Sequence, residues 1–271
     1  MKVAVLYICT GEYVKFWSGF YQSAGTHFLP HTGRHYFVFT DGQVGPAKDI
    51  TVVPQDSLGW PFNTLYRFRM FLRIRPDLQS FSHIVFLNAN CVVQRLIGFD
   101  EFFAPGSDLV ACRHPGFFDK PTSAYTYERR PQSKAFVAKG AIYRAGGLMG
   151  GTASAFLAAA EEIASNIEAD LENGLVALWH DESHWNAYLD SCAPAAGRAV
   201  HDLSPGFLYP EGWIIPFEPR ILLREKSKVI DISRVKGQAG QGSVVPPRGV
   251  LRRVADRIWP PARTHSCSPP A

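Results

Sequence analysis

The sequence predicts an α/β fold with a mostly parallel central sheet flanked by helices. Three observations carry this expectation. Short apolar runs, several rich in β-branched and aromatic residues, alternate with segments of helical spacing. The runs are apolar without interruption, as buried strands are. Two of them, residues 3–8 and 84–87, give way abruptly to Thr10-Gly11 and Asn88-Ala89-Asn90.

Each element follows in order. Residues 3–8 read as a buried first strand, Tyr7 included. Thr10-Gly11 turns the chain, and Phe16, Phe20 and Tyr21 then recur at helical spacing to about Ala24. Residues 36–39 form a second strand ending at Thr40-Asp41-Gly42, and residues 50–53 a third. Residues 65–72 read as a helix, with Pro61 ahead of it and Pro76 closing it. Residues 84–87 and 109–112 are further strands. Residues 115–139 are polar and aromatic without a period, which suits a long functional loop. Gly146, Gly147, Gly150 and Gly151 suit either tight packing turns or close backbone approach to a ligand. A long helix is expected over residues 153–173, rich in Ala and Glu and stopped by Gly174. Asp181 is placed to cap a short helix through Tyr188. In such sheets ligands gather beyond the carboxyl ends of the strands, which puts residues 8–13 and 88–90 on one rim.

Composition narrows the function. Hydrophobic residues make up 46% of the 271 and charged residues 19%, so a substantial core can be buried. The formal net charge is +4, but residues 236–271 alone carry +5 and residues 1–235 carry −1. A nearly neutral body offers no broad basic surface, so no nucleic-acid partner is expected. The basic stretch 236–271, rich in Gly, Pro and Ser, reads as a disordered tail following a catalytic domain of residues 1–235. Val250, Leu251, Val254 and Ile258 could line one face of a short basic helix within it. Five scattered cysteines without a CxxC pair argue against a disulfide framework or zinc ribbon and suit a reducing compartment. No run is long enough for a signal peptide or a membrane span, so a soluble, cytoplasmic protein is expected, with no transmembrane anchor.

Two motifs concentrate chemistry. Asn88 and Asn90 stand at i and i+2 after a buried strand, so both side chains can face one ligand. Aspartates there would hold a divalent cation, whereas neutral amides are poor ligands for one. A plain strand-ending turn fits the same residues. His180-Asp181-Glu182-Ser183-His184 follows the apolar residues Val176-Ala177-Leu178. A carboxylate there can act as nucleophile, base or stabiliser of a cationic centre. A capped helix start with solvated charges is the alternative. Zinc hydrolysis is a third reading, but its motif needs Glu directly after the first His, and this chain has Asp181 there. Arg67 suits an anion or a sugar hydroxyl, or simply the surface. Tyr13 suits a nucleobase stack or the rim of a core.

The residues taken together resemble glycosyltransferase family 6, the family of the histo-blood-group A and B transferases and the α-1,3-galactosyltransferase. The likeness rests on His114-Pro115-Gly116-Phe117-Phe118, on Tyr125-Thr126-Tyr127-Glu128-Arg129-Arg130-Pro131-Gln132-Ser133, and on Gly146-Gly147 with Gly150-Gly151. It continues through Trp179-His180-Asp181-Glu182-Ser183-His184 and Asn186. The resemblance implies a GT-A fold and a retaining α-1,3 transfer of GalNAc or Gal. The sugar would come from UDP-GalNAc or UDP-Gal and go to the 3-OH of a galactose-containing, fucosylated oligosaccharide, as in blood-group-like antigens. It implies donor contacts at Ile8, Cys9, Thr10, Tyr13, Arg67, Asn88, Ala89, Asn90, His180, Asp181 and Lys226. Ala145, Gly146 and Gly147 correspond to the segment that discriminates donors, and glycine at its third position leaves room for an N-acetyl group, which favours UDP-GalNAc. Acceptor contacts are implied at His114, Thr126, Trp179 and Glu182, with Glu182 the catalytic carboxylate.

Three departures from the family pattern matter. Asn88-Ala89-Asn90 replaces Asp-x-Asp, so no metal cofactor is expected, and fixed cations such as Lys226 or Arg224 would stabilise the leaving diphosphate. The catalytic domain starts at Met1, without the tail, membrane span and stem of the animal enzymes, which suggests a bacterial or phage-like source. The acidic acceptor residue of the family falls on Pro210, with Glu211 beside it. A lectin-like protein that keeps the fold without catalysis is the alternative from another class.

Overall fold

The computed structural model describes residues 1–237; the expected tail and its Val250–Ile258 face lie outside the described residues, apart from the tail's first two. The chain opens with β1 (Lys2–Ile8), a 3₁₀ turn (Gly11–Phe16) and α1 (Trp17–His27). Then come β2 (Gly33–Thr40), β3 (Ile50–Pro54) and three short helices, α2 (Phe62–Leu65), α3 (Arg67–Leu72) and α4 (Arg75–Leu78). β4 (His83–Leu87), β5 (Cys91–Val93), α5 (Phe99–Phe102) and β6 (Leu109–Arg113) follow. After a long loop come β7 (Arg144–Thr152), α6 (Ala153–Glu172), α7 (Asp181–Ala187) and α8 (Ala193–Ala195). The described chain closes with β8 (Val200–Leu203), β9 (Tyr209–Pro210), β10 (Ile221–Leu223) and α9 (Ile232–Gly237).

Seven strands form one sheet in the order β3-β2-β1-β4-β7-β6-β8, and β5, β10 and β9 form a second, smaller one. In the large sheet β7 runs antiparallel to β4 and β6, and every other neighbouring pair is parallel. The mostly parallel α/β architecture read from the sequence is therefore the one observed. Strand pleating explains how one apolar run feeds two cores. Ala4, Leu6, Phe37, Phe39, Ile84 and Phe86 pack on the face covered by α3 and α6. Val3, Val5, Tyr7, Tyr36, Val38, Val85 and Leu87 pack on the opposite face with α1. Each fully buried large side chain contributes about 1.5–3 kcal/mol, so these two faces, more than any turn, dominate the fold.

The glycines of residues 146–151 lie within β7 rather than in turns. A Cβ on Gly150 would stand 2.8 Å from the carbonyl oxygen of Ile84, and one on Gly151 2.3 Å from that of Asp108. Their absence lets β7 enter between β4 and β6 at close range. Because β7 is antiparallel, its first residues lie at the same rim as the last residues of β1, β4, β6 and β8.

Candidate active site

That rim assembles the site. Leaving β4, the Asn88 N–H donates to the carbonyl of Gly147 on β7 (2.9 Å). Ile8, Thr10, Tyr13, Arg67, Asn88, Ala89 and Lys226 line one pocket, joined by Trp60, Asn63, Thr64, Phe86 and Val235. Seven residues expected at the donor therefore meet in one cavity. Lys226 Nζ lies 5.4 Å from the centre of the Tyr13 ring, which brings a cation beside an aromatic wall.

Of the other expected donor residues, Ala145 is buried in the core, and Cys9 and Asn90 turn away from the pocket. Cys9 is wholly buried in the core behind the pocket; its N–H bonds Phe39 and its carbonyl accepts from Thr40 Oγ1 (2.8 Å). Asn90 is buried too and does not share a ligand-facing side with Asn88. Its amide donates to the carbonyl of Arg224 (2.7 Å), while the Arg224 N–H donates back to the Asn90 carbonyl (2.9 Å). Asn90 thus fastens the segment that carries Lys226, because chain reversal after residue 88 turns it inward. Asn88 and Ala89 remain at the pocket as neutral groups, a donor set that does not fit a hard divalent cation. Among the described residues, no group of three or more His, Cys, Asp or Glu side chains is arranged to hold a metal ion.

The carboxylates of α7 lie behind the pocket residue Arg67. Asp181 was expected to cap the helix; instead it is the first helical residue, and His180 precedes it at φ 52° and ψ −123° without a side-chain cap. The Asp181 carboxylate faces Arg67 instead. Asp181 Oδ2 lies 2.8 Å from Arg67 Nη1, with both side chains buried. Arg67 is therefore no surface arginine: it donates to the Gly146 carbonyl (2.6 Å) and lies 4.1 Å from the Phe86 ring centre. Its Nε–H is buried without a hydrogen-bond partner, which leaves a donor for a ligand. Burial pushes Asp181 up to about 6 against the pull of Arg67, and pushes Arg67 down. The His180 backbone is in a region costly for a non-glycine residue, by about 1–3 kcal/mol, and such strain persists only where surroundings impose it. Here the His180 ring meets Trp60 edge-on, with centroids 5.2 Å apart.

Glu182 accepts from the Gly146 N–H at Oε2 (2.7 Å) and from Tyr143 Oη–H at Oε1 (2.9 Å). Burial pushes its carboxyl up to about 7, opposed by those two hydrogen bonds. Glycine at 146 lets Glu182 come close: a Cβ there would stand 3.0 Å from Glu182 Cβ and 3.3 Å from Oε2, and the carboxylate would have to shift. Asn186 fixes α7 to β7 by exchanging bonds with the Arg144 backbone (2.9 and 2.7 Å) and also donates to the Glu182 carbonyl (2.9 Å).

The expected acceptor residues adjoin Glu182. Trp179, half-exposed, donates from Nε1 to Thr126 Oγ1 (2.9 Å). The Gly116 N–H donates to His114 Nδ1 (3.0 Å), and burial pushes this histidine down to about 4. The neutral ring therefore carries its proton on Nε2, ready to donate. Glu211 points away from this group. It accepts from the Glu225 N–H (2.6 Å) and from Lys228 Nζ (3.0 Å) and so braces the following segment.

Several residues at the site carried no signal in the sequence. Trp60 and Asn63 line the pocket from a loop and a short helix without a motif, and Tyr143 touches Glu182 only through folding.

A strand-rim pocket with an aromatic wall and cations, running into a buried arginine and two carboxylates, defines the class: a GT-A-like glycosyltransferase. The comparisons give the family. The model of glycosyltransferase family 6 matches residues 1–222. The O-antigen biosynthesis glycosyltransferase WbnI of Escherichia coli is 33% identical over 233 residues, 84% of this chain and 96% of that protein. The globoside alpha-1,3-N-acetylgalactosaminyltransferase 1 of Gallus gallus is 28% identical over 241 residues, 84% of this chain and 67% of its own length. The histo-blood group ABO system transferase 1 of Rattus norvegicus is 30% identical over 219 residues, 74% of this chain and 60% of its own length. This chain belongs to glycosyltransferase family 6. Among the described residues, no helix is long and apolar enough to cross a membrane.

Proposed function

We propose that this glycosyltransferase moves GalNAc, and less readily Gal, from its UDP derivative to the 3-OH of a galactoside acceptor, with retention and without a metal ion. One observation carries the reading. Glu182 is held by the Gly146 N–H and the Tyr143 hydroxyl; the pocket residue Arg67 bonds the same Gly146, and Tyr143 is bonded to Thr126, the partner of Trp179.

The residues supply the chemistry as follows. The uracil stacks beside Tyr13, and Lys226 meets the diphosphate as the sugar departs. Arg67 spends its vacant Nε–H on a donor-sugar hydroxyl, oriented by Asp181. Glu182, ionised, faces the anomeric carbon. It either bonds to it and is displaced by the acceptor, or stabilises the cationic centre while the acceptor attacks from the leaving-group face. His114 Nε2–H and Thr126 hold the acceptor galactose against Trp179. Metal independence is supported by the neutral amide at Asn88 and by the inward turn of Asn90. Preference for GalNAc is supported by the lack of a side chain at Gly147, whose carbonyl holds the pocket residue Asn88 and where a Cβ would fill the space against Leu208 (3.4 Å) and Asn88 (3.7 Å). The name of the chicken relative, which cites alpha-1,3-N-acetylgalactosaminyl transfer, supports the sugar and the linkage, and that of the rat relative, which cites the histo-blood group ABO system, supports a blood-group-like acceptor.

The test is a screen of UDP-sugars against fucosylated and plain galactosides, with and without EDTA. Transfer from UDP-GalNAc ahead of UDP-Gal, undiminished by EDTA, is the expected result. Inhibition by EDTA reversed by Mn²⁺ would overturn metal independence, and faster turnover of UDP-Gal would overturn the donor preference.

A further inference from the structure

Tyr143 lies one residue before β7 and outside every motif read from the sequence, yet its hydroxyl is at the centre of a chain of hydrogen bonds. Trp179 Nε1 stands 2.9 Å from Thr126 Oγ1, Thr126 Oγ1 is 3.4 Å from Tyr143 Oη, and Tyr143 Oη is 2.9 Å from Glu182 Oε1. With Glu182 ionised, proton counting gives the chain one direction. The indole N–H can only donate, so Thr126 accepts there. Thr126 then directs its own proton to Tyr143, and Tyr143 directs its proton to Glu182. The Gly146 N–H occupies the other carboxylate oxygen at 2.7 Å, so both oxygens of Glu182 accept.

We infer that Tyr143 is a positioning residue for the transfer reaction, which keeps Glu182 an acceptor-only carboxylate and links it, through Thr126, to occupancy of the galactoside subsite. The inference rests on the glycosyl-transfer reading of the site. Its logic is the lone-pair inventory of Thr126. One lone pair is taken by Trp179; the other is open to a hydroxyl of the incoming sugar. A hydroxyl donating there polarises Thr126 O–H toward Tyr143, and Tyr143 in turn toward Glu182, because donors in series strengthen one another. The 3.4 Å link is the slack one, with room to tighten when the sugar arrives. The ring of Tyr143 is itself fixed by packing, with centroids 4.7 Å from Phe117, 5.1 Å from Tyr127 and 5.7 Å from His114. The hydroxyl is therefore delivered by a rigid aromatic cluster rather than a mobile side chain. The other ionisable groups acting on Glu182 are Asp181, its neighbour on α7, which opposes its ionisation, and Arg67 from α3, which favours it. Neither lies on the path from the acceptor subsite.

The experiment compares two pH profiles of the whole chain: UDP release from UDP-GalNAc alone, and transfer with saturating galactoside. In the wild type the acid limb with acceptor lies below the limb without it. Tyr143→Phe keeps the ring and removes the donor. It is expected to lower transfer kcat about tenfold or more, to move the acid limb up by about one pH unit, to abolish the offset between the profiles, and to leave KM for UDP-GalNAc within about twofold. Thr126→Val at saturating acceptor is expected to abolish the offset too, and Thr126→Ser to restore it; this pair decides the matter if Tyr143→Phe does not fold. A Tyr143→Phe enzyme with wild-type kcat and an unmoved limb overturns the inference, as does an offset that survives Thr126→Val. Those results leave the transferase reading intact, provided Glu182→Gln is inactive; near-normal turnover by Glu182→Gln would instead remove the reading on which the inference stands.

Discussion

At Glu182, burial and hydrogen bonding oppose each other, and under the proposed mechanism their balance sets the pH at which transfer switches on. Burial raises the carboxyl to about 7, while the Gly146 N–H and Tyr143 hydroxyl hold it from rising further. Either route to retention needs the ionised form. The kcat/KM for transfer should therefore climb with pH through about 7 and level off above it. A profile that is flat, or that falls over that interval, would show that another group controls the reaction. His114 is already neutral there, since burial pushes it down to about 4, so it adds no limb. Much of this was unreadable beforehand. The sequence identified Glu182 through a resemblance; on spacing alone it was one carboxylate in a capped helix start. Arg67 and Asp181 were legible as residues but not as a pair, because they are far apart in the chain and only the fold buries them together. Asn90 was read as facing the ligand because it stands two residues from Asn88, a rule that holds only while the strand continues. The strand ends at Leu87, and the rule ends with it.

At the scale of elements, the loop after β6 does more than carry the proposed acceptor contacts. Glu128 is buried and accepts from the Arg130 N–H, Nε and Nη2 (2.9, 2.9 and 2.6 Å) and from the Leu178 N–H (2.9 Å). The Arg130 guanidinium also donates to the Val176 carbonyl (2.6 Å). One carboxylate thus splices the loop to the segment leading into Trp179 and α7. Its hydrogen bond from the Arg130 side chain holds Glu128 down at about 2, below an unfolded value near 4.5. The sign follows: this pairing stabilises the fold fully above that unfolded value and is lost as pH falls toward 2. Glu128→Gln should cost about 1.5–3 kcal/mol in denaturant melts near neutral pH and raise KM for the acceptor more than KM for the donor. Equal effects on both KM values would show that the splice does not serve Trp179 in particular. The strands over residues 3–8, 36–39, 84–87 and 109–112 were legible because burial on the sheet leaves continuous apolar runs, the edge strand over 50–53 through its β-branched residues although Thr51 and Val52 are exposed, and the long helix after Thr152 through its Ala and Glu content. β7 was not, because its glycines carry no hydrophobic period: they are selected by the narrow gap between β4 and β6.

For the whole molecule, topology explains why residues from distant parts of the chain converge. Four parallel strand ends and the start of the antiparallel β7 share one rim, so residues 8–13, 88–89, 114 and 143–147 are neighbours. The rim rule made the first two of these legible in the sequence; the reversal of β7, which brings Tyr143 and Gly146 to Glu182, was not. The central claim is that the Glu182 carboxylate at this convergence carries the transfer. It is tested most directly by the turnover of Glu182→Gln with UDP-GalNAc and a fucosylated galactoside, alongside its thermal unfolding. The account predicts a folded protein whose kcat falls by about a thousandfold or more. A folded Glu182→Gln protein that transfers sugar at a rate near the wild type would contradict it.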